Sequence, residues 1–215
     1  KDISQNFEIS FCVIYVIPGK EKLVDYYFES VPLPRYFQWN ILNHTSLEKA
    51  CFDIDGVLCP DPTEQQNDDG PLYKDFILNA PPLFIPGAKI GTIVTSRLEK
   101  YREETEIWLK KNNVKYKKLE MLDLPDKEAR IKAGNHGQFK ASVYGSSTDY
   151  ILFIESNYHQ AVEINHITKK PVLCTENFQM IFESESLMYN IKSGKYFPFL
   201  RKTALKIRNR LRKLR

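Results

Sequence analysis

Two carboxylates one residue apart, Asp53 and Asp55, close an apolar run that starts at Ala50, and Gly56 follows directly. In a strand, residues i and i+2 point to the same side. Both acids therefore face one site, and Gly56 lets the chain turn sharply away from it. Two carboxylates this close repel unless a cation or a shared proton relieves them. Mg²⁺, which prefers carboxylate and phosphate oxygens, suits such a place. Three more polar groups follow along the chain: Thr95-Ser96-Arg97 after a second apolar run, Lys140 within Phe139-Lys140-Ala141, and Glu155-Ser156-Asn157 after another. Each has a plainer reading. Thr95-Ser96 could cap a helix before Leu98, Lys140 could be a solvated surface lysine, and Glu155 could cap the helix that starts near Tyr158.

The elements that must position these groups alternate. Strands are expected over residues 49–55, 88–95, 114–122, 149–154 and 171–174, and helices over 73–79, 98–112, 126–133 and 158–168. In the second helix Tyr101, Thr105, Trp108 and Leu109 share one face. Residues 60–73, rich in Pro, Asn, Asp and Gly, must be loop. Strands alternating with helices argue for an α/β fold, a Rossmann-like doubly wound parallel sheet covered on both faces. Ligands in such folds collect at the carboxyl ends of the strands, where Asp53 and Asp55 fall.

This ordered set of strand ends resembles the haloacid-dehalogenase-like hydrolase superfamily. The resemblance spans about residues 47–180 and rests on an acid, any residue, an acid and Gly, then a Thr or Ser, a Lys, and an acidic group after the fourth strand. It implies a core sheet of strand order 5-4-1-2-3 with a small cap loop, and a phosphomonoester phosphatase. Asp53 would be the nucleophile that forms an aspartyl-phosphate. Asp55 would protonate the leaving oxygen and then activate water. Thr95 would hydrogen-bond a phosphate oxygen, with Ser96 and Arg97 beside it as substrate-binding residues. Lys140 would neutralise the phosphate and Asp53, with Lys132 as a rival for that role. Mg²⁺ would be held by Asp53, the backbone carbonyl of Asp55, Glu155 and Asn157. The family often ends strand four with Gly-Asp or Asp-Asp, so Glu155-Ser156-Asn157 is a departure. Asp149 is a rival acid at the wrong end of its strand. Dehalogenase chemistry is disfavoured, because such relatives generally do not need the second acid.

Three organisational units are expected: residues 1–45 as an N-terminal strand (7–17) and irregular connector, 46–185 as the hydrolase core, and 186–215 as a basic, helical segment. The first unit, with Pro34-Arg35-Tyr36-Phe37-Gln38-Trp39-Asn40, looks like the tail of a phosphoribosyltransferase-like domain; an extra strand on the hydrolase sheet is the alternative. Such domains occur fused to hydrolases of this type, as in capsule-polymer synthases, where the phosphatase removes a 5-phosphate from a phosphoribosyl group. That resemblance implies a phosphorylated sugar or glycan substrate and a neighbouring glycosyltransferase domain. A nucleotidase or polynucleotide phosphatase, or a non-catalytic scaffold of the same fold, are the competing readings.

The 215 residues carry a net charge of +4, which by itself calls for no nucleic-acid partner. Residues 201–215 nevertheless hold eight Lys or Arg and no acid. They could lie on an anionic membrane surface, bind a polyanion, or form a solvated helix. Cys12, Cys51, Cys59 and Cys174 lack zinc-ligand spacing and read as buried reduced thiols, which favours a cytoplasmic setting; contact with the inner membrane face through the tail is the added expectation. His44, His136, His159 and His166 share no metal spacing and read as structural. The acids Asp61, Glu64, Asp68 and Asp69 could repel polyanions, but read first as a solvated loop.

Overall fold

The computed structural model describes residues 9–32 and 40–182. The chain divides into two units between Ile41 and Leu42. In the first, β1 (Cys12–Val16) pairs in parallel with β2 (Tyr26–Ser30), in the register Cys12↔Tyr26 to Val16↔Ser30. The expected irregular connector thus contains a strand. Phe11, Ile14, Tyr26 and Phe28 are all exposed, and so is Cys12, contrary to the expectation of a buried thiol. The aromatic patch at 36–39 and the basic segment lie outside the described residues.

The second unit is built on a six-stranded sheet of order β5-β4-β3-β6-β7-β8. Its strands are β3 (Ala50–Phe52), β4 (Ile90–Leu98), β5 (Tyr116–Leu122), β6 (Leu152–Glu155), β7 (Val172–Cys174) and β8 (Gln179–Ile181). All neighbours run parallel except β8, which is antiparallel to β7. β3 is apolar throughout and fully buried, as a central parallel strand must be. The helices are α1 (Pro71–Asn79), α2 (Arg102–Lys111), α3 (Lys127–Ala133), α4 (His136–Gly145) and α5 (Tyr158–Thr168). This is a Rossmann-like α/β architecture.

Strand alternation divides the core into two layers. Cys51, Val94 and Phe153 pack with Ala141 and Tyr144 of α4 and with Ala161, Val162 and Ile164 of α5. Phe52, Ile93 and Ile154 point the other way and are equally buried. Helices α1 and α2 pack on each other, with Tyr73, Phe76 and Ile77 inward from one and Thr105, Trp108 and Leu109 from the other. The Trp108 indole N–H donates to the Ala80 carbonyl at 2.7 Å, which locks the end of α1 to α2. Because α1 contributes its apolar face to this core, only the loop before it is left to act as a cap.

Local chemistry fixes the element ends. Pro71 opens α1, where its missing N–H is no loss, and the Asp68 carboxylate accepts from Gly70, Leu72 and Tyr73 N–H. Asp126 caps α3 and Asn157 caps α5 through side-chain oxygens. From β3 the chain passes to β4 and β5 on one side, then crosses over to β6 and β7 on the other. The carboxyl ends of β3 and β6 therefore flank the switch point where α/β folds open a crevice. No helix among the described residues is long and apolar enough to cross a membrane.

Candidate active site

Asp53 extends the β3–β6 ladder by one residue, its N–H donating to the Ile154 carbonyl at 3.0 Å. Its Oδ1 accepts from the Ile54 N–H at 2.8 Å, and its Oδ2 from Lys140 Nζ at 2.6 Å. The chain then turns through Gly56, which has a φ of +74°. A Cβ there would lie 2.2 Å from Ser156 Oγ. Glycine is thus required both by its left-handed conformation and by the approach of the β6 end.

Lys140 comes from the buried face of α4, which the sequence reading left without an element. Its three ammonium protons have three acceptors: Asp53 Oδ2, Glu155 Oε2 at 2.7 Å and Gln160 Oε1 at 2.8 Å. Lys140, Glu155 and Asp53 are all buried, with side-chain exposures of 2%, 0% and 7%. Burial alone would lower the Lys140 pKa, but the charges of Asp53 and Glu155 outweigh it and raise it, so the group is an ammonium. Burial pushes the Asp53 carboxyl far above the usual carboxylate range; Lys140 pulls it down, while Glu155 and Asp55 push it up. Glu155 is also held on its other oxygen, where Oε1 accepts from the Ser156 and Asn157 N–H groups, each at 3.0 Å.

Asp55 faces a different cation. Arg97 Nη2 donates to its Oδ1 at 2.7 Å, and Nε lies 3.2 and 3.1 Å from Oδ1 and Oδ2. The Asp55 carbonyl accepts from Ser156 Oγ at 3.2 Å. Arg97, expected at the substrate, is instead 0% exposed. Arg97 shares a strand face with the buried Ile93 and Thr95, at a point where the β4–β5 register shifts between Thr95 and Leu98. Thr95 is fully buried, and its Oγ1 accepts from the Arg97 N–H at 3.2 Å. Ser96 Oγ is buried without a hydrogen-bond partner among the described residues. Neither Thr95, Ser96 nor Arg97 lines the cavity described next.

That cavity, about 510 Å³, opens over the strand ends. Asp53, Asp55, Gly56 and Glu155 line its inner part, while the exposed Asp61 and Glu176 line its rim together with Ser156, Asn157, Gln160 and Thr175. Asn157 reaches it while its Oδ1 caps α5 by accepting from the Gln160 N–H at 3.0 Å. Partial desolvation, then Asp55 and Glu155, hold the Asp61 carboxyl above its usual range. Five lining carboxylates against Lys140 and Arg97 leave a formal excess of three negative charges. No group of three or more His, Cys, Asp or Glu side chains among the described residues is gathered as a metal cage. Lys132 and Asp149, the rival residues, do not line the cavity, and Lys140 lies just behind the lining, bonded to its Asp53, Glu155 and Gln160.

Sequence reasoning missed Asp61, Gln160, Thr175 and Glu176. Thr175 and Glu176 follow the end of β7, a strand-end position that could have flagged them. Gln160 sits in the first turn of α5, three residues after Asn157, and points back to the same ammonium.

No family model and no curated protein matches the chain. Among solved structures, a chain of the Pnkp1/Rnl/Hen1 RNA repair complex is similar at 19% identity and a TM-score of 0.41, over 62% of this chain and 44% of that one. A second structure of the Pnkp1/Rnl/Hen1 complex is similar at 20% identity and a TM-score of 0.36, over 67% and 53%. The chain spans about half the length of each of these two chains. Likenesses this slight carry nothing about the site.

Proposed function

We propose that this chain is a Mg²⁺-dependent phosphomonoester phosphatase of the haloacid-dehalogenase-like kind, acting through an aspartyl-phosphate on Asp53. The observation that carries the reading is the buried ammonium of Lys140, shared between Asp53 Oδ2 and Glu155 Oε2 at the ends of adjacent strands. The strand order supports it: counted from β3, the first five strands run 5-4-1-2-3. The donor set also fits Mg²⁺. The cavity lining offers carboxylate, hydroxyl and amide groups, with no His or Cys, and carries surplus negative charge. Asp53, the Asp55 carbonyl, Glu155 and Asn157 would hold the ion, each through an oxygen that already accepts a hydrogen bond from the protein. Mg²⁺ keeps several waters and needs only one or two carboxylates. When bound, it supplies positive charge that screens a phosphate dianion from the acids.

The residues divide the work. A carboxylate oxygen of Asp53 attacks phosphorus while the ester oxygen leaves with a proton from Asp55. Lys140 holds Asp53 aligned and offsets charge as the phosphoryl group arrives. Asp55 then takes a proton from water, hydroxide adds to phosphorus, and Asp53 leaves, so the sum is ester plus water giving alcohol plus phosphate.

The same proposal covers the substrate. The cap is no more than a short loop, which leaves the mouth open to a phosphate on a bulky molecule. The lining is polar, has no aromatic side chain for a base to stack on, and carries Asp61 and Glu176 at the rim. This suits an uncharged polyol such as a sugar, including a phosphoribosyl group on a glycan, and opposes polyanions. The first unit would then be the closing strand pair of a phosphoribosyltransferase-like domain. Parallel strands are normally covered on both faces, whereas Phe11, Ile14, Tyr26 and Phe28 are exposed.

The test is phosphate release from p-nitrophenyl phosphate, sugar phosphates, nucleotides and 5′-phosphorylated oligonucleotides, with and without Mg²⁺ and with Asp53→Asn as control. Mg²⁺-dependent release that vanishes in the variant supports the proposal. Release that ignores Mg²⁺, or that survives Asp53→Asn, refutes it.

A further inference from the structure

We infer that Arg97 is a positioning residue for the general acid: its guanidinium fixes the place and rotation of the Asp55 carboxylate at the cavity. The inference rests on the phosphatase reading and deepens it.

Arg97 cannot meet substrate directly, because it is 0% exposed and does not line the cavity. Asp55, by contrast, keeps 18% of its side chain exposed. The two are joined by Nη2 to Oδ1 at 2.7 Å, and by Nε to Oδ1 at 3.2 Å and to Oδ2 at 3.1 Å. A planar fork of this kind fixes both the place and the rotation of a carboxylate, which a lysine point charge does not. Cys59 Sγ adds a contact to the same Oδ1 at 3.5 Å and receives Arg97 Nη2 at 3.3 Å. Oδ1 thus meets three donors and Oδ2 one, so the carboxylate is held at both oxygens.

Two further observations separate positioning from mere stability. Replacing a whole buried ion pair by apolar residues of similar volume is often neutral or stabilising, so the Arg97–Asp55 pair is weak evidence for a stability role. Its Nη1 has no hydrogen-bond partner among the described residues, so the group is aimed by its two contacts to Asp55 and Cys59. Arg97 sits where the β4–β5 register shifts between Thr95 and Leu98, and the Arg97 N–H is bonded to Thr95 Oγ1.

The experiment compares leaving groups. p-Nitrophenolate leaves with little need of a proton, whereas the alkoxide of glycerol 2-phosphate must be protonated as it departs. In Arg97→Met, kcat/KM for glycerol 2-phosphate should fall about 10²–10³-fold, within the range a general acid supplies, while that for p-nitrophenyl phosphate falls about tenfold or less. Because Asp55 also activates water, a burst of nitrophenol ahead of steady turnover should appear. Arg97→Lys, which keeps the charge but not the planar fork, should show the same selective loss to a smaller extent, and it serves if the Met variant does not fold. Equal losses on both esters in either variant, or no loss, overturn the inference. If the unaltered protein hydrolyses neither ester, the phosphatase reading itself fails.

Discussion

Replacing Lys140 with Met probes the central cluster most sharply. Methionine fits the volume but removes the ammonium from between Asp53 and Glu155, which then face each other with side-chain exposures of 7% and 0%. Removing one partner of a buried ion pair costs about 3–5 kcal/mol. For a folded body of this size that corresponds to a melting point lower by about 6–20 °C. Protonation of one carboxylate limits the penalty, because burial already pushes Asp53 upward. Lys140→Met/Asp53→Asn should therefore be more stable than Lys140→Met alone, with a coupling of about 0.5–3 kcal/mol. Glu155 would still keep its bonds to the Ser156 and Asn157 N–H groups. Urea unfolding followed by Trp108 fluorescence, in a Trp39→Phe background, measures all four corners of the cycle. Lys140→Met within about 1 kcal/mol of the unaltered protein, or a double variant less stable than the sum of the singles, would refute the reasoning.

Gly56→Ala should lose most activity and about 1–3 kcal/mol of stability, because alanine is strained at a φ of +74° and its Cβ meets Ser156; steady-state kinetics and thermal melts check both. Mg²⁺ at about 100 times its dissociation constant should stabilise the unaltered protein by about 2.7 kcal/mol. Asp53→Asn should gain much less, and calorimetry in Mg²⁺ and in chelator reads the difference. Asp61→Asn/Glu176→Gln should raise kcat/KM for a 5′-phosphorylated oligonucleotide several-fold over that for a sugar phosphate. The gain should shrink with added salt, as screening of about 8 Å at physiological strength requires. An unchanged ratio would mean that the rim does not sort substrates by charge.

Much of this was legible in the residues. The apolar run into Asp53 and Asp55 marked a buried strand whose end could hold charge, and helix α5 was expected with both of the bounds it has. Helix α4 was missed for a physical reason. Its buried face is Gly137, Lys140, Ala141 and Tyr144, so the spacing is helical but the hydrophobic signal is almost absent. The residue that ties the cluster together was thus hidden on an element that periodicity does not reveal. Strand β2 escaped notice because all five residues are exposed, and β8 because three residues on an antiparallel edge carry little pattern. Arg97 was expected at the substrate because a sequence does not show that Asp55, 42 residues earlier, takes up its guanidinium. Asp61 looked like one acid among several on a loop, and only the turn at Gly56 brings it to the cavity.

The decisive measurement is chemical trapping on the protein itself. Borohydride added during turnover of p-nitrophenyl phosphate with Mg²⁺ reduces an acyl phosphate to an alcohol, and peptide mass spectrometry locates the change. Conversion of Asp53, and of no other acid, to homoserine, requiring both substrate and Mg²⁺, is the predicted result. Steady hydrolysis with Asp53 unmodified, or with the label on another carboxylate, would contradict the account.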